Sequence, residues 1–253
     1  MQYLSVVIVC KNAGTVIGNT LQSLQGLTDD IIVYDNGSTD DTIVTAERYS
    51  VRLYKGEWEG FGKTKRKANA LAAYSWILSL DADEAVNEQL KESILQLSLD
   101  NDKLVYDISF NNYFGNRWLK YGEWGKDHHI RLFNKTVVNW NDAPVHEELV
   151  MPDNISVLKL NGAVRHRTAE GIGDFKKKMT AYASLNAEKY FKQGKKAAWS
   201  KKWLSSVFSF IQNYFLRLGF LDGMAGFQCA VISSKYTFNK YKKLEELWSR
   251  EGR

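Results

Sequence analysis

Four short, nearly uninterrupted apolar runs, Leu4 to Cys10, Ile31 to Tyr34, Val51 to Tyr54 and Trp76 to Leu80, alternate with stretches of helix length. Runs that are apolar at successive positions, rather than at every second one, fit strands buried on both faces of a parallel sheet. Parallel neighbours cannot be joined by a tight hairpin; each needs a crossover, usually a helix. Thr15 to Leu24, Asp41 to Tyr49 and Lys63 to Tyr74 fill that role, and Asn87 to Leu97 forms a further amphipathic helix. This alternation restricts the first half of the chain to an α/β fold.

The rest follows other patterns. Between residues 104 and 167 lie short strands, Leu104 to Phe110, Ile130 to Phe133 and Val157 to Leu160, set among aromatic and glycine-rich loops, as in a mixed sheet. From Asp174 the spacing turns helical. Two parts are therefore expected: an α/β domain over residues 1–173 and a basic, aromatic-rich helical region over residues 174–253. The second part carries 16 Lys and Arg against 6 Asp and Glu, whereas the first has 18 against 23. Such a bias suits an anionic membrane surface. It accompanies an apolar helical stretch rather than an exposed reader motif, so no nucleic-acid partner is expected. Trp203 to Leu221 is nearly long enough to span a bilayer. Gln212, Asn213 and Arg217 are costly in hydrocarbon, however, and Lys201 and Lys202 flank the stretch, which favours a helix lying in the interface. Two cysteines, Cys10 and Cys229, give no disulfide framework and fit a reducing cytoplasm. The N-terminus lacks a basic n-region and a small-residue cleavage site, so no secretion signal is expected.

Two acidic loops, Tyr34-Asp35-Asn36-Gly37-Ser38-Thr39-Asp40 and Ser79-Leu80-Asp81-Ala82-Asp83-Glu84, each directly follow an apolar run. In an open α/β sheet, ligands sit beyond the carboxyl ends of the strands, so both loops can converge on one crevice. Carboxylates gathered there repel a diphosphate unless a divalent cation intervenes. Asp81 and Asp83 offer the hard oxygen ligands that Mg²⁺ or Mn²⁺ shares with substrate phosphates. The ligand-free readings are a plain turn at Asp35 to Ser38 and a complement to a helix dipole at Asp83 and Glu84.

With Val6-Val7-Ile8-Val9-Cys10-Lys11-Asn12 ahead of them, these blocks resemble the inverting family 2 glycosyltransferases of GT-A fold, with Asp81-Ala82-Asp83 as the DXD motif. Glu123 to Lys135, Val145-His146-Glu147 and Phe220-Leu221-Asp222-Gly223 extend the similarity. They resemble a narrower group, the bacterial lipopolysaccharide core glucosyltransferases that modify an inner-core heptose. The resemblance implies an α/β GT-A fold, with a Rossmann-like nucleotide-binding half and mixed sheet, plus a C-terminal helical region. It also implies a Mg²⁺- or Mn²⁺-dependent transfer of a hexose, glucose foremost, from a UDP-sugar to a sugar of a lipid-linked glycan. The enzyme would sit in the cytoplasm, peripheral on the inner face of the cytoplasmic membrane.

Residue by residue, the resemblance places Asp35 on uracil, Asn12 at the nucleotide-sugar, Asp83 on the metal, and Asp81 on ribose or a metal-bound water. Among Lys63, Lys65, Arg66 and Lys67, one or two can reach the diphosphate, and Lys65 is the choice. Arg131 either stabilises the departing UDP or pairs with an acidic neighbour. Transfer with inversion needs a base on the acceptor hydroxyl. Glu147 is the first candidate, because the resembled group carries a Val-His-Glu block in its acceptor half; Asp127 and then Glu123 follow. The four histidines, His128, His129, His146 and His166, lack the i, i+4 spacing of a helical zinc site. His166 or His146 is preferred as a third metal ligand or a phosphate contact. Trp118, Tyr121, Trp124 and Trp140 can stack on sugar, about half of them being expected to pack in a core instead.

Three competing readings are a nucleotidyltransferase, a catalytically inactive membrane-peripheral sugar-binding module, and a glycosyltransferase acting on another cell-envelope glycan. The first is disfavoured by the single glycine in Cys10-Lys11-Asn12-Ala13-Gly14.

Overall fold

A computed structural model describes residues 2–143, 147–169, 171–196 and 198–251. They form two compact units, Met1–Phe110 with His128–His166, and Asn111–Asp127 with Arg167–Arg253. The division departs from the expected boundary at 173, because residues 111–127 join the helical region. Hydrogen bonds account for this. The backbone N–H groups of Lys120 and Tyr121 donate to Asp222 at 3.0 and 2.9 Å, and Ser233 Oγ donates to Glu123 at 3.0 Å.

The first unit is built from β1 (Leu4–Cys10), α1 (Ile17–Ser23), β2 (Asp30–Asp35), α2 (Thr42–Ala46), β3 (Arg52–Lys55), α3 (Phe61–Ala70), β4 (Trp76–Asp81), β5 (Glu84–Val86) and α4 (Glu88–Leu95). There follow β6 (Leu104–Phe114), β7 (Arg117–Trp118), β8 (Asp127–Asn134), β9 (Asn139–Trp140), β10 (Leu149–Val150) and β11 (Ser156–Ala169); the chain passes between units within β6, at the start of β8 and within β11. The main sheet runs β3-β2-β1-β4-β8-β6-β11-β5. β1 lies parallel to both β2 and β4, and β2 to β3. Beyond β4 the sheet turns antiparallel, with β8 against β4 and β5 against β11. This is the mixed GT-A sheet, its parallel half in Rossmann order.

Both faces are covered, as the apolar runs require. Val6, Ile8, Leu78 and Leu80 point to one core with Ile17 and Leu21 of α1, while Val7, Ile32, Ile77 and Phe133 point to another with Ala68 of α3. Asn87 caps α4 through the Leu90 N–H at 2.8 Å, and the same Oδ1 accepts the Ala163 N–H at 3.0 Å, tying the helix to β11. Gly162 (φ +93°) permits this, since a Cβ there would lie 2.2 Å from the Leu90 nitrogen.

The second unit is helical, with α5 (Ile172–Lys192), α6 (Lys201–Ile211) and α7 (Gly223–Glu251). Its core gathers Leu119, Ala169, Phe175, Ala225, Cys229 and Ile232. The stretch from Trp203 to Leu221 is not one helix. α6 widens into a π-helical turn at Gln212–Leu216, and Leu218 takes a left-handed conformation (φ +58°) that ends it. Among the described residues, no single helix is long and apolar enough to cross a membrane.

Candidate active site

The carboxyl ends of β1 and β4 open into a cleft of about 570 Å³, a volume ordinary for small-molecule sites. Its lining includes Cys10, Asn12, Asn36, Trp58, Phe61, Lys65, Asp81 and Asp83. Both acidic loops thus contribute, as strand-end placement demands.

Asp35 itself is fully buried and outside the lining. Its carboxylate accepts the N–H groups of Gly37 and Ser38 at 3.0 Å each, and the Ser38 hydroxyl as well. It therefore shapes the turn, while the adjacent Asn36 meets the cleft with a buried Oδ1 that has no hydrogen-bond partner. Asn12 locks the two loops together. Its N–H donates to Ser38 Oγ and its Oδ1 accepts the Thr39 N–H, each at 2.8 Å, from a left-handed backbone (φ +52°) that asparagine tolerates.

Of the four cations on α3, only Lys65 reaches the cleft. Arg66 pairs with Asp142 at 2.7 Å, Lys67 with Glu59, and Lys63 is exposed. Lys65 is 5% exposed. Its Nζ lies 3.2 Å from Asp81 Oδ1, 2.8 Å from Glu147 Oε1, and 4.8 Å from the centre of the Trp140 ring. The close approach of α3 to the Asn141 to Ala143 segment fixes this geometry: a Cβ on Gly62 would lie 1.9 Å from the Asn141 carbonyl oxygen.

Arg131 follows the second alternative read from the sequence, since its Nη2 pairs with Glu84 at 2.6 Å and with Asp81 at 3.3 Å. Burial opposes ionisation of Asp81, but Lys65 and Arg131 outweigh it and hold this carboxyl below the usual range. Burial pushes the Glu84 carboxyl up, with Arg131 working against the rise. Two carboxylates around one guanidinium are thereby driven apart. Burial, reinforced by Asp35, pushes the Cys10 thiol up to about 12, so this cleft residue stays a neutral thiol.

Asp83 faces the cleft, with His166 Nε2 3.4 Å from its Oδ2. His166 stands opposite Glu84 in the β11–β5 register, which is how β11 delivers it. His128 pairs with Asp107 at 2.9 Å, and His129 packs edge-on to Phe110; His146 lies outside the described residues. Trp140 is buried against Phe133. In the second unit, Asp127 accepts a hydrogen bond at 3.0 Å from the buried Asn112, and Glu123 is held by Ser233. Trp124 packs on Phe175, whereas Trp118 and Tyr121 are exposed.

Trp58 and Asn36 were missed as site residues. Trp58 is half exposed and packs edge-on to Phe61 at 4.6 Å. A signal was present, an aromatic pair in the glycine-punctuated stretch Gly56-Glu57-Trp58-Glu59-Gly60-Phe61 just after a strand.

Comparison with known proteins decides the class of chemistry. Residues 5–148 match the model of Glycosyl transferase family 2. The chain belongs to this family. The glycosyltransferase is 28% identical over 259 residues to an uncharacterized glycosyltransferase of Rickettsia typhi, with 98% of this chain and 88% of the relative covered. It is 23% identical to the lipopolysaccharide core biosynthesis glycosyltransferase LpsC of Rhizobium meliloti, covering 99% and 94% of the two chains. Among solved structures, residues 1–349 of S. aureus TarS in complex with UDP-GlcNAc superpose with a TM-score of 0.47 at 18% identity, over 99% of this chain and 92% of that one.

Proposed function

We propose that this glycosyltransferase moves a hexose, glucose by resemblance, from UDP to a sugar hydroxyl of a lipid-linked glycan at the inner face of the cytoplasmic membrane, with inversion. The name of the LpsC relative supports the lipopolysaccharide core as that glycan. The observation that carries the reading is one cleft wall that gathers an unpartnered amide oxygen, a buried lysine and the Asp81-Asp83 pair.

Asn36, a lining residue whose buried Oδ1 lacks a hydrogen-bond partner, would turn that oxygen to an N–H of the uracil edge, and Trp58 would offer a face for the base or ribose. The residues also fit a divalent cation. Asp83 opens on the cleft beside His166, and Mg²⁺ or Mn²⁺ needs only one or two carboxylates when substrate phosphates complete the shell. Among the described residues no group of three His, Cys, Asp or Glu side chains is gathered, so Asp81, Asp83 and His166 do not form the expected three-ligand set and substrate oxygens would complete the shell. A bound cation would neutralise charge on the departing diphosphate.

The chain's own groups do the rest. Lys65 brings a second positive charge to the diphosphate. Glu147 accepts the proton of the acceptor hydroxyl as its oxygen bonds to the anomeric carbon, while the bond from that carbon to the phosphate oxygen breaks and its electron pair leaves on UDP. Because Lys65 bridges Asp81 and Glu147, a diphosphate that attracts it loosens its hold on Glu147. Donor binding thereby frees the base.

Fluorescence and thermal-shift titrations with UDP test the site. Mg²⁺ or Mn²⁺ should tighten binding, Asp83→Asn should remove only that metal-dependent part, and Asn36→Ala should weaken UDP with or without metal. Metal-independent binding that both variants leave unchanged contradicts the assignment.

A further inference from the structure

α6 is built inside out. Its buried side chain is a serine, Ser206, whose carbonyl oxygen accepts the Ser234 hydroxyl of α7 at 2.8 Å, and the following turn buries Asn213. Apolar side chains of α6, of the turn after it and of the start of α7 face outward instead. Leu204, Val207, Phe208, Phe215, Leu216 and Met224 are each more than half exposed. The spacing of Leu204, Val207, Phe208 and Ile211 is that of one helical face. A contiguous surface of this kind on a helix whose inner side is polar marks an interaction site.

The surface continues around an elbow. The axis of Lys201–Leu216 bends by 71° into Gly219–Glu251. Phe210 stacks on Tyr214 at 5.3 Å, and Phe227 meets both rings edge-on at 6.1 and 5.7 Å, packing across the bend. No charged residue occurs from Trp203 through Leu216, whereas Lys201 and Lys202 precede this stretch and Arg217 follows it.

We infer that this elbow is a membrane-docking device, its apolar face set into one leaflet of an anionic bilayer. Charge complementarity selects a lipid occupant over a protein, since cations rim the apolar face within a region of 16 Lys and Arg against 6 Asp and Glu. The 14 uncharged residues extend about 21 Å as a helix, short of the roughly 30 Å hydrocarbon core, so they do not cross by themselves. Joined with Gly219–Glu251 across the bend they reach the length and composition of a broken span or re-entrant loop, and Arg217 with the flanking lysines favours the interfacial placement. The inference deepens the lipid-linked acceptor reading above, but it stands on separate residues.

Sedimentation of the full chain with vesicles tests it, using phosphatidylcholine alone and with about one-third phosphatidylglycerol. The chain should bind the anionic vesicles, with affinity falling as salt rises, and Leu204→Glu/Phe208→Glu should lower partitioning by about tenfold or more. Val44→Glu, at an exposed apolar position of α2, should leave partitioning unchanged. Circular dichroism and UDP binding should show both variants folded. Failure of the wild type to sediment overturns the inference, as do equal sedimentation of the elbow variant or a wild-type dimer that the elbow substitutions split. UDP binding without lipid is read separately, so loss of either reading leaves the other standing.

Discussion

Replacing Arg131 with methionine removes the cation that holds two carboxylates together. Arg131 is 7% exposed, its guanidinium lies 2.6 Å from Glu84 and 3.3 Å from Asp81, and Glu84 is 1% exposed. Without Arg131, Glu84 keeps the hydrogen bond from the Asp81 N–H at 2.9 Å. Breaking a buried pair by removing one partner costs about 3–5 kcal/mol, because the other charge stays desolvated. Glu84→Met alone is expected to cost less, about 1–3 kcal/mol, since Arg131 keeps Asp81. The double variant replaces the pair with apolar volume and should lose less than the sum of the singles by about 2 kcal/mol. Urea denaturation of the four proteins, with the slope checked for constancy, measures the cycle. Single losses under about 1 kcal/mol that add without coupling would show that the pair does not hold the β4–β5 loop, and would refute the reasoning.

Other outcomes follow from the same geometry. Burial pushes both Cys10 and Cys229 up to about 12, so neither thiol should react with iodoacetamide at pH 8 until urea unfolds the chain. The native state holds these protons while the unfolded state loses them from the ordinary value of 9.0, so stability should fall as pH rises from about 9 towards 12; a flat profile there would contradict it. Gly62→Ala places a Cβ 1.9 Å from the Asn141 oxygen and should destabilise by about 1–3 kcal/mol while weakening UDP binding through displaced Lys65; unchanged stability and affinity would count against the contact. Asn87→Ala strands the Leu90 and Ala163 N–H groups and should cost about 1–2 kcal/mol in denaturant.

The parallel half was legible because strands buried on both faces must be apolar throughout: the expected Leu4 to Cys10 run is β1 residue for residue, β4 is one residue longer at its end, and β2 and β3 differ from the expected runs by one residue at each end. Both acidic loops were placed by the same logic. Elements that depend on distant partners were not. β11 extends from Ser156 to Ala169 rather than ending at Leu160, because its pairing with β5 and β6, not its own pattern, sustains it. Residues 111–127 carry no local mark of belonging with helices beyond position 167; buried Asp222 decides that through two backbone N–H groups. Lys65 looked like one of four solvated cations, and only the close packing at Gly62 singles it out. The resemblance placed Asp35 on uracil; in the fold its carboxylate accepts the Gly37 and Ser38 N–H groups, a local use that the turn-forming residue types also signalled.

The most direct measurement is UDP release by the purified chain from UDP-glucose, with Mg²⁺ or Mn²⁺ and a heptose-containing lipid-linked acceptor, compared with Asp83→Asn and Glu147→Gln. Acceptor-dependent release that chelator and both substitutions abolish, while Glu147→Gln still binds UDP, is the predicted result. Turnover that persists without metal and in Glu147→Gln, or no release from any UDP-sugar with any such acceptor, would contradict the account.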